Sequence, residues 1–320
     1  MRTSSRIRGM LLAAVAVTAV AGICAAALAQ PAQQLSFHWA NVTAGSSRVM
    51  FDFTLQTYDT TGAVPPPLTD YYVRLPRGAS VRRQFLVARY QCNGPALRDA
   101  LDAHPSGIPF TRQIADLRPF IRSLVHSRSR ADRAAVANAT VCERSRVGGG
   151  TAQIDARHVT PVLSQLVPVR FAVFLSRGPA PGSIDGFAIL GAAEESSPIV
   201  RRFPVLAGVH AALAGSILND PTPDGLYGYK LLLPKGRING LDVSIAEVSA
   251  SLHGLTIARG TCLKRNGRGR CTARQRADLD SFVLPQCPPS GLLSALLYAG
   301  YAPPTPSLST EIRLPCPTFG

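Results

Sequence analysis

Residues 49–55 read VMFDFTL, and the apolar side chains of Val49, Phe51, Phe53 and Leu55 alternate with the residues between them. Such alternation indicates a β-strand with one buried face, because successive side chains of a strand point to opposite sides. This stretch therefore predicts a strand that covers a core with every second residue.

The same alternation recurs along the chain, with turns rich in proline, glycine or serine between the repeats. It is present over 229–233 and 243–252. In the second stretch it slips out of phase between Ile245 and Val248, which predicts a β-bulge or a twist between two packed faces. Many short strands separated by such turns favour an antiparallel β-sandwich, which is the fold class that we predict. Further predicted strands are Val169–Leu175, Phe282–Leu284 and Glu311–Leu314.

One segment, within residues 92–142, has apolar residues at helical spacing instead. Pro119 fits a helix only in its first turn, so we predict a helix over Arg118–Val136 and a shorter one over 95–103. The sandwich should therefore carry a helical insertion at about 95–137. The apolar residues on which this prediction depends are Ile114, Leu117, Ile121, Leu124 and Val125.

Length and composition exclude several classes of protein. The chain has 320 residues, of which 46% are hydrophobic, so it is neither disordered nor collagen-like. It carries 34 Lys and Arg against 19 Asp and Glu, which gives a formal net charge of +15. We therefore expect a globular protein with a basic balance.

The N-terminal segment predicts export from the cytoplasm. Three arginines precede an apolar run over 10–28, and Ala27-Leu28-Ala29 has small residues where signal peptidase requires them. We expect a Sec-type signal peptide over 1–29, cleavage after Ala29, and a secreted or envelope-associated chain over 30–320 that forms one domain. A retained membrane anchor is the alternative, because an apolar run of this length can span a bilayer. No later stretch predicts a transmembrane helix.

Six cysteines follow the signal peptide, and an even number in an exported chain favours disulfide bonds. The sequence alone does not choose among their pairings. No two of them have the close spacing of zinc ligands, so we expect no metal site. The six are Cys92, Cys142, Cys262, Cys271, Cys287 and Cys316.

Several motifs punctuate the chain: LPRG at 75–78 before Cys92, CERSRVGGGTA at 142–152, PQCPPSG at 285–291, and Cys316 near the end. In these motifs the chain resembles a group of uncharacterised exported β-rich proteins of high-GC actinobacteria. The shared patterns are Cys-x-x-Ser-x-Val-Gly-x-Gly-Thr-Ala and a C-terminal Cys-Pro-x-x-Gly followed by a last Cys. They are structural and imply no known activity.

The resemblance implies disulfides Cys92–Cys142 and Cys287–Cys316, the second closing a C-terminal hairpin over 282–316. The remaining pair, Cys262–Cys271, would close a short basic loop. The chain departs from the group in that this last pair looks like an addition, and in that residues 97–140 are longer and more helical.

That basic loop is the strongest candidate binding site. Residues 259–276 hold seven basic residues and no acidic one, and residues 118–146 hold seven basic and two acidic ones. Arginine binds phosphate or sulfate groups through two hydrogen bonds, so we expect an anionic cell-surface polymer as partner. The loop has no aromatic residue for stacking bases, so specific nucleic-acid binding is not expected. The candidate residues are Arg265, Arg268, Arg270, Arg274 and Arg276.

The alternative for the loop is a solvated segment of an arginine-biased chain, which has 31 Arg against 3 Lys. We expect a structural or binding role rather than catalysis, because no nucleophile elbow, zinc-protease helix or phosphate-binding loop is present. Gly148-Gly149-Gly150 precedes a predicted strand rather than a helix and indicates close sheet packing. The six scattered histidines leave an exported hydrolase with a dispersed active site as the alternative function. We expect no cofactor, and the sequence does not indicate an oligomeric state.

Overall fold

The computed structural model describes most of the chain after the predicted signal peptide. The described residues are 31–40, 50–59, 68–76, 80–81, 91–155, 157, 165–233, 237–238, 241–242, 244–253, 256–257, 260–266, 270–274, 276, 279–280, 282–283, 289–301 and 305–316. The predicted signal peptide and its cleavage site lie outside them.

Strands make up most of the regular structure. The helices are α1 (Gly94–Ala103), α2 (Phe110–Ala115), α3 (Arg118–Leu124), α4 (Arg130–Arg144) and α5 (Pro198–Arg202), with a 3₁₀ helix at Pro204–Gly208. The strands are β1 (Pro31–Ala40), β2 (Met50–Asp59), β3 (Leu68–Pro76), β4 (Ser80–Val81), β5 (Arg146–Asp155), β6 (Val167–Ser176), β7 (Asp185–Ala193), β8 (His210–Asn219), β9 (Tyr227–Leu232), β10 (Arg237–Ile238), β11 (Leu241–Asp242), β12 (Ser244–His253), β13 (Thr256–Ile257), β14 (Cys262–Arg265), β15 (Cys271–Arg274), β16 (Leu279–Asp280), β17 (Phe282–Val283), β18 (Leu292–Tyr301) and β19 (Leu308–Pro315).

Eleven of these strands form one antiparallel sheet in the order β1-β2-β12-β5-β6-β7-β8-β9-β3-β18-β19. The sheet curls until its first and last strands come close together. Gln33 Nε2 on β1 donates a hydrogen bond of 2.9 Å to Thr310 Oγ1 on β19. The result is a barrel-like sheet with an apolar interior.

The prediction of a mainly β, antiparallel fold is confirmed, but a sandwich is not. The long strands belong to one continuous sheet rather than to two stacked ones. Alternating apolar residues show that a strand has a buried face, but that face can be covered by a second sheet or by the same sheet after it has curled. Sequence periodicity does not distinguish the two arrangements.

Strand β6 is apolar on both of its faces. Val173 and Leu175 pack inside the sheet with Ile217 and other interior residues. Phe174 is fully buried on the opposite, outer face, where it contacts the helices of the insertion. Burying an aromatic side chain of this size stabilises the fold by about 2 kcal/mol, so the insertion is part of the folded unit.

The insertion is a minor layer of short helices, α1 to α4, packed on the outside of β6, β7 and β8. Leu97, Leu101, Ile114 and Leu117 are buried against that surface. Helix α1 begins at Gly94, where a Cβ would lie 2.8 Å from the Cβ of Ala188. The absence of a side chain therefore lets α1 lie directly on β7.

The predicted single helix over Arg118–Val136 is wrong, because the chain forms two helices, α3 and α4. Ser129 ends the intervening turn as the N-cap of α4, and its hydroxyl accepts a hydrogen bond from the Asp132 N–H. Serine competes with the helical backbone for such bonds and favours caps over helix interiors. Pro119 does lie in the first turn of α3. The shorter helix predicted over 95–103 is α1, and α2 was not predicted.

Both ends of the insertion are fixed to the same point of β6. The Cys92–Cys142 disulfide joins them, with a Cα–Cα distance of 4.4 Å. The Cys92 N–H donates to the Leu175 carbonyl at 2.8 Å, and the Leu175 N–H donates to the Ser145 carbonyl at 2.8 Å. The insertion therefore leaves and re-enters the sheet at one place.

The remaining sequence predictions concern smaller features. The bulge predicted between Ile245 and Val248 is present, because the pairing of β12 with β5 shifts there. Within the range 282–316 predicted for a C-terminal hairpin, β18 and β19 pair as antiparallel strands, whereas β17 pairs with β4. Cys316 is disulfide-bonded, while Cys287, its expected partner, lies outside the described residues. None of the helices in the described ranges is long and apolar enough to cross a membrane.

The two described disulfides close loops of very different length, and their removal should have different effects. In the variant Cys92→Ala/Cys142→Ala, which opens a 50-residue separation, we expect the free energy of unfolding to fall by about 3 to 4 kcal/mol. The matched variant Cys262→Ala/Cys271→Ala, with a separation of 9, should lose about 2 to 3 kcal/mol. Urea unfolding measures both. An equal or larger loss for the short loop contradicts the expectation that loop length sets the effect.

Candidate functional site

The basic loop of the sequence is a two-stranded hairpin, which we call the basic hairpin: β14, β15 and the residues between them. The Cys262–Cys271 disulfide joins its strands, with a Cα–Cα distance of 5.7 Å. Near the turn, the Asn266 N–H donates to the Arg270 carbonyl, and the Arg270 N–H donates to Asn266 Oδ1, both at 3.0 Å. The hairpin is therefore held by a covalent bond and by backbone pairing.

Three of the five predicted arginines lie on this hairpin. Arg265 is on β14 and Arg274 on β15, with Arg270 just before β15. Arg276 follows the hairpin, and Arg268 lies outside the described residues. The side chains of Arg270, Arg274 and Arg276 are exposed.

These exposed side chains are not neutralised by carboxylates in the part of the chain that the structure describes. Arg274 Nη1 donates to the Gly260 carbonyl at 3.1 Å, which orients the guanidinium but leaves its charge uncompensated. Arg270 and Arg276 form no ion pair with any described residue. The arrangement can bind an anion through guanidinium groups on a rigid frame.

Two histidines lie close to carboxylates, which bears on the hydrolase alternative. His210 Nδ1 is 2.5 Å from Asp102 Oδ1, and its Nε2 is 3.2 Å from the Ala207 carbonyl. The imidazole also stacks on Phe110, with ring centroids 3.8 Å apart. Both nitrogens are therefore occupied by acceptors, and neither faces a hydroxyl. This pair links α1 to β8.

His104 belongs to a second cluster, in which the carboxylate rather than the imidazole is central. Asp132 accepts a hydrogen bond from the Ser127 hydroxyl at 2.5 Å and lies 3.2 Å from His104 Nε2. The Ser127 bond and the His104 contact both lower the pKa of the Asp132 carboxyl, the first most strongly. The other His104 nitrogen contacts the Ala100 carbonyl at 2.9 Å. A serine nucleophile needs a histidine as its hydrogen-bonded base. Here Ser127 is bonded to Asp132 instead, and the histidine lies on the far side of that carboxylate.

A cleft of about 320 Å³ lies between α2 and the outer face of β5 and β6. Arg146 and Arg170 line it, but each is paired with a glutamate, Glu143 at 3.0 Å and Glu194 at 3.1 Å. Its charges are therefore balanced internally. The sequence does not predict this cleft, because its lining residues meet only when β5 pairs with β6 and α2 packs beside them.

The glycines at 148–150 form one wall of this cleft as part of β5. A Cβ at Gly150 would collide with the Ser249 carbonyl of β12. The glycines therefore permit close strand approach, as the sequence predicted, and do not open a helix that could bind phosphate.

Asp185, the first residue of β7, is a buried acid without a matching base. Only 3% of its surface is exposed, and neither carboxylate oxygen has a hydrogen bond of normal geometry within the described structure. Burial raises the pKa of this carboxyl to about 7, against a smaller opposing effect of the Gly186 N–H. The sequence does not predict this site, because an aspartate is almost never fully buried unless it is paired.

The described ranges contain no group of three or more His, Cys, Asp or Glu residues that could hold a metal ion. Comparison of the chain with protein-family models, with curated proteins and with solved structures gives no match.

The buried carboxyl predicts a pH-dependent stability effect. Because the folded-state pKa of Asp185 is about 7 and the unfolded one is about 4, the native state favours the protonated acid, and stability is lost as pH rises between these values. Asp185→Asn should therefore stabilise the protein more at pH 8 than at pH 5, by on the order of 2 kcal/mol. Urea unfolding at the two pH values tests this.

The matched control is Asp224→Asn. Hydrogen bonds from the Thr222 hydroxyl and the Leu226 N–H lower the pKa of the Asp224 carboxyl, so this ionised group stabilises the fold above its unfolded pKa. Its replacement should destabilise the protein at pH 8. A shift of equal size for Asp185→Asn at both pH values contradicts the proposed cost of ionisation.

Proposed function

We propose that this is an exported, disulfide-stabilised β protein that binds an anionic polymer at the cell envelope or outside it, through the basic hairpin. The observation that carries the proposal is the exposure of Arg270, Arg274 and Arg276 on and beside a disulfide-joined hairpin. Exported status rests on the N-terminal signal pattern, and the described disulfides agree with an oxidising compartment.

The physical basis is charge held at fixed positions. A guanidinium binds sulfate, phosphate or carboxylate groups through two parallel hydrogen bonds, and several of them along one hairpin suit a polymer with repeating anionic groups. The disulfide limits the conformational entropy that the hairpin would lose on binding. No aromatic residue lies between Cys262 and Arg276, which argues against base stacking with nucleic acid.

The hydrolase alternative gains nothing from the described histidines that contact carboxylates. His104 and His210 each face two acceptors and no serine hydroxyl. Binding is therefore the function that the geometry supports best.

Heparin affinity tests the proposal. In Arg270→Ala/Arg274→Ala/Arg276→Ala, three exposed positive charges are lost. At about 0.5 kcal/mol each, this corresponds to roughly tenfold weaker heparin binding at physiological salt. Isothermal titration and the salt concentration of elution from heparin resin measure the change.

The charge-matched control is Arg177→Ala/Arg201→Ala/Arg202→Ala, which removes three exposed arginines elsewhere on the protein. It should bind heparin nearly as the unmodified protein does. If both triple variants lose the same affinity, net charge rather than the hairpin is responsible and the proposal fails.

A further inference from the structure

The helical insertion carries a surplus of positive charge, part of which lies on exposed arginines around the turn between α3 and α4. Residues 91–146 contain nine arginines and five acidic residues. Each of the five carboxylates contacts an arginine or a histidine side chain, and none of them forms an ion pair with the remaining arginines in the described structure. The pairs are Asp99 with Arg98, Asp102 with His210, Asp116 with Arg118, Asp132 with His104, and Glu143 with Arg146.

Four of the remaining arginines cluster in sequence at the turn between α3 and α4, and we call them the insertion patch: Arg122, Arg128, Arg130 and Arg133. All four are exposed, and none forms an ion pair with another described residue. The only acid in this stretch, Asp132, turns toward Ser127 and His104 instead. The turn therefore carries four exposed guanidinium groups against one carboxylate that is hydrogen-bonded elsewhere.

The patch does not serve the stability of its own helix. Arg130 and Arg133 lie in or next to the first turn of α4, where the helix dipole disfavours cations. Neither residue gains a compensating carboxylate among the described residues. Their placement is unfavourable for the isolated fold and favourable for a bound anion.

The turn that carries the patch is held in place. Ser129 caps α4, and Asp132 connects the turn to α1 through His104. The backbone at both ends of the turn is thus fixed before any partner arrives, which reduces the entropy lost on binding.

The surface chemistry favours a polymer over a membrane. Val125, with 52% of its surface exposed, is the one large apolar side chain that is exposed between 118 and 133. A membrane-binding helix needs a continuous apolar face as well as positive charge, and the described insertion has none on this side. Repeating anionic groups along a flexible chain match the four guanidinium groups.

We infer that the insertion patch is a second binding surface for an anionic polymer, separate in sequence from the basic hairpin. This inference rests on the proposed function in one respect, which is that the partner is an anionic polymer. If one polymer chain contacts both surfaces, the second contact becomes intramolecular and raises the affinity well beyond that of either surface alone.

The test compares heparin binding of three variants at about 0.15 M salt. Arg122→Gln/Arg128→Gln/Arg133→Gln removes three charges of the patch while keeping good helix formers. It should bind heparin about tenfold more weakly, and combination with the hairpin triple variant should weaken binding about a hundredfold or more. The control Arg177→Ala/Arg201→Ala/Arg202→Ala should stay within about threefold of the unmodified protein.

The outcomes are distinct. Loss of affinity in the patch variant but not in the hairpin variant supports the patch and refutes the hairpin as the site of the proposed function. Patch and control variants that bind heparin equally well overturn the inference. The inference also fails if the patch variant loses binding to phosphatidylglycerol vesicles but keeps its heparin affinity. That result favours a membrane surface as the partner.

Two further variants separate binding from folding. Arg128→Glu changes a residue outside both helices and reverses one charge, so it should weaken heparin binding while the thermal midpoint stays unchanged. The variant Arg122→Lys/Arg128→Lys/Arg133→Lys keeps the charge of the patch and should retain most of the heparin affinity. Equal loss in the lysine and glutamine variants contradicts an electrostatic surface.

Discussion

Strand β6 has apolar side chains on both of its faces, so both faces must be covered, and the rest of the fold depends on this requirement. Val173 and Leu175 require an interior, which the sheet provides by curling until β1 meets β19. Phe174 requires a cover on the outside, and only the helical insertion supplies one among the described elements. The sheet and the helices are therefore interdependent, although the helices form no strand pairing of their own.

The covering layer also determines where charge is displayed. The inner side of the insertion is apolar. Its carboxylates pair with basic residues of the insertion, except Asp102, which pairs with His210 of the sheet. What remains for the outer side is arginine. The carboxylate of Asp132 is directed to the Ser127 hydroxyl and forms no ion pair with the arginines beside it.

The sequence predicted individual strands better than it predicted the curling of the sheet or the contacts between residues distant in sequence. The alternation over 49–55 and the slip at Ile245 were sufficient for the β2 strand and for the bulge in β12, since both depend on side-chain period alone. Curling of the sheet depends on the pairing of strands that lie far apart in sequence, such as β12 with β2. The burial of Asp185 and the contact of Asp132 with His104 likewise depend on contacts between residues that are distant in sequence.

The neighbouring positions of Cys92 and Cys142 have a consequence for how the chain tolerates change. Because their Cα atoms are 4.4 Å apart, the residues between them leave the sheet and return to it at two adjacent points. Lengthening or shortening that segment leaves the strand register untouched, provided that Phe174 stays covered. A change on the outer surface of the insertion therefore leaves the hydrogen bonds of the sheet in place, as long as its apolar inner side still covers Phe174.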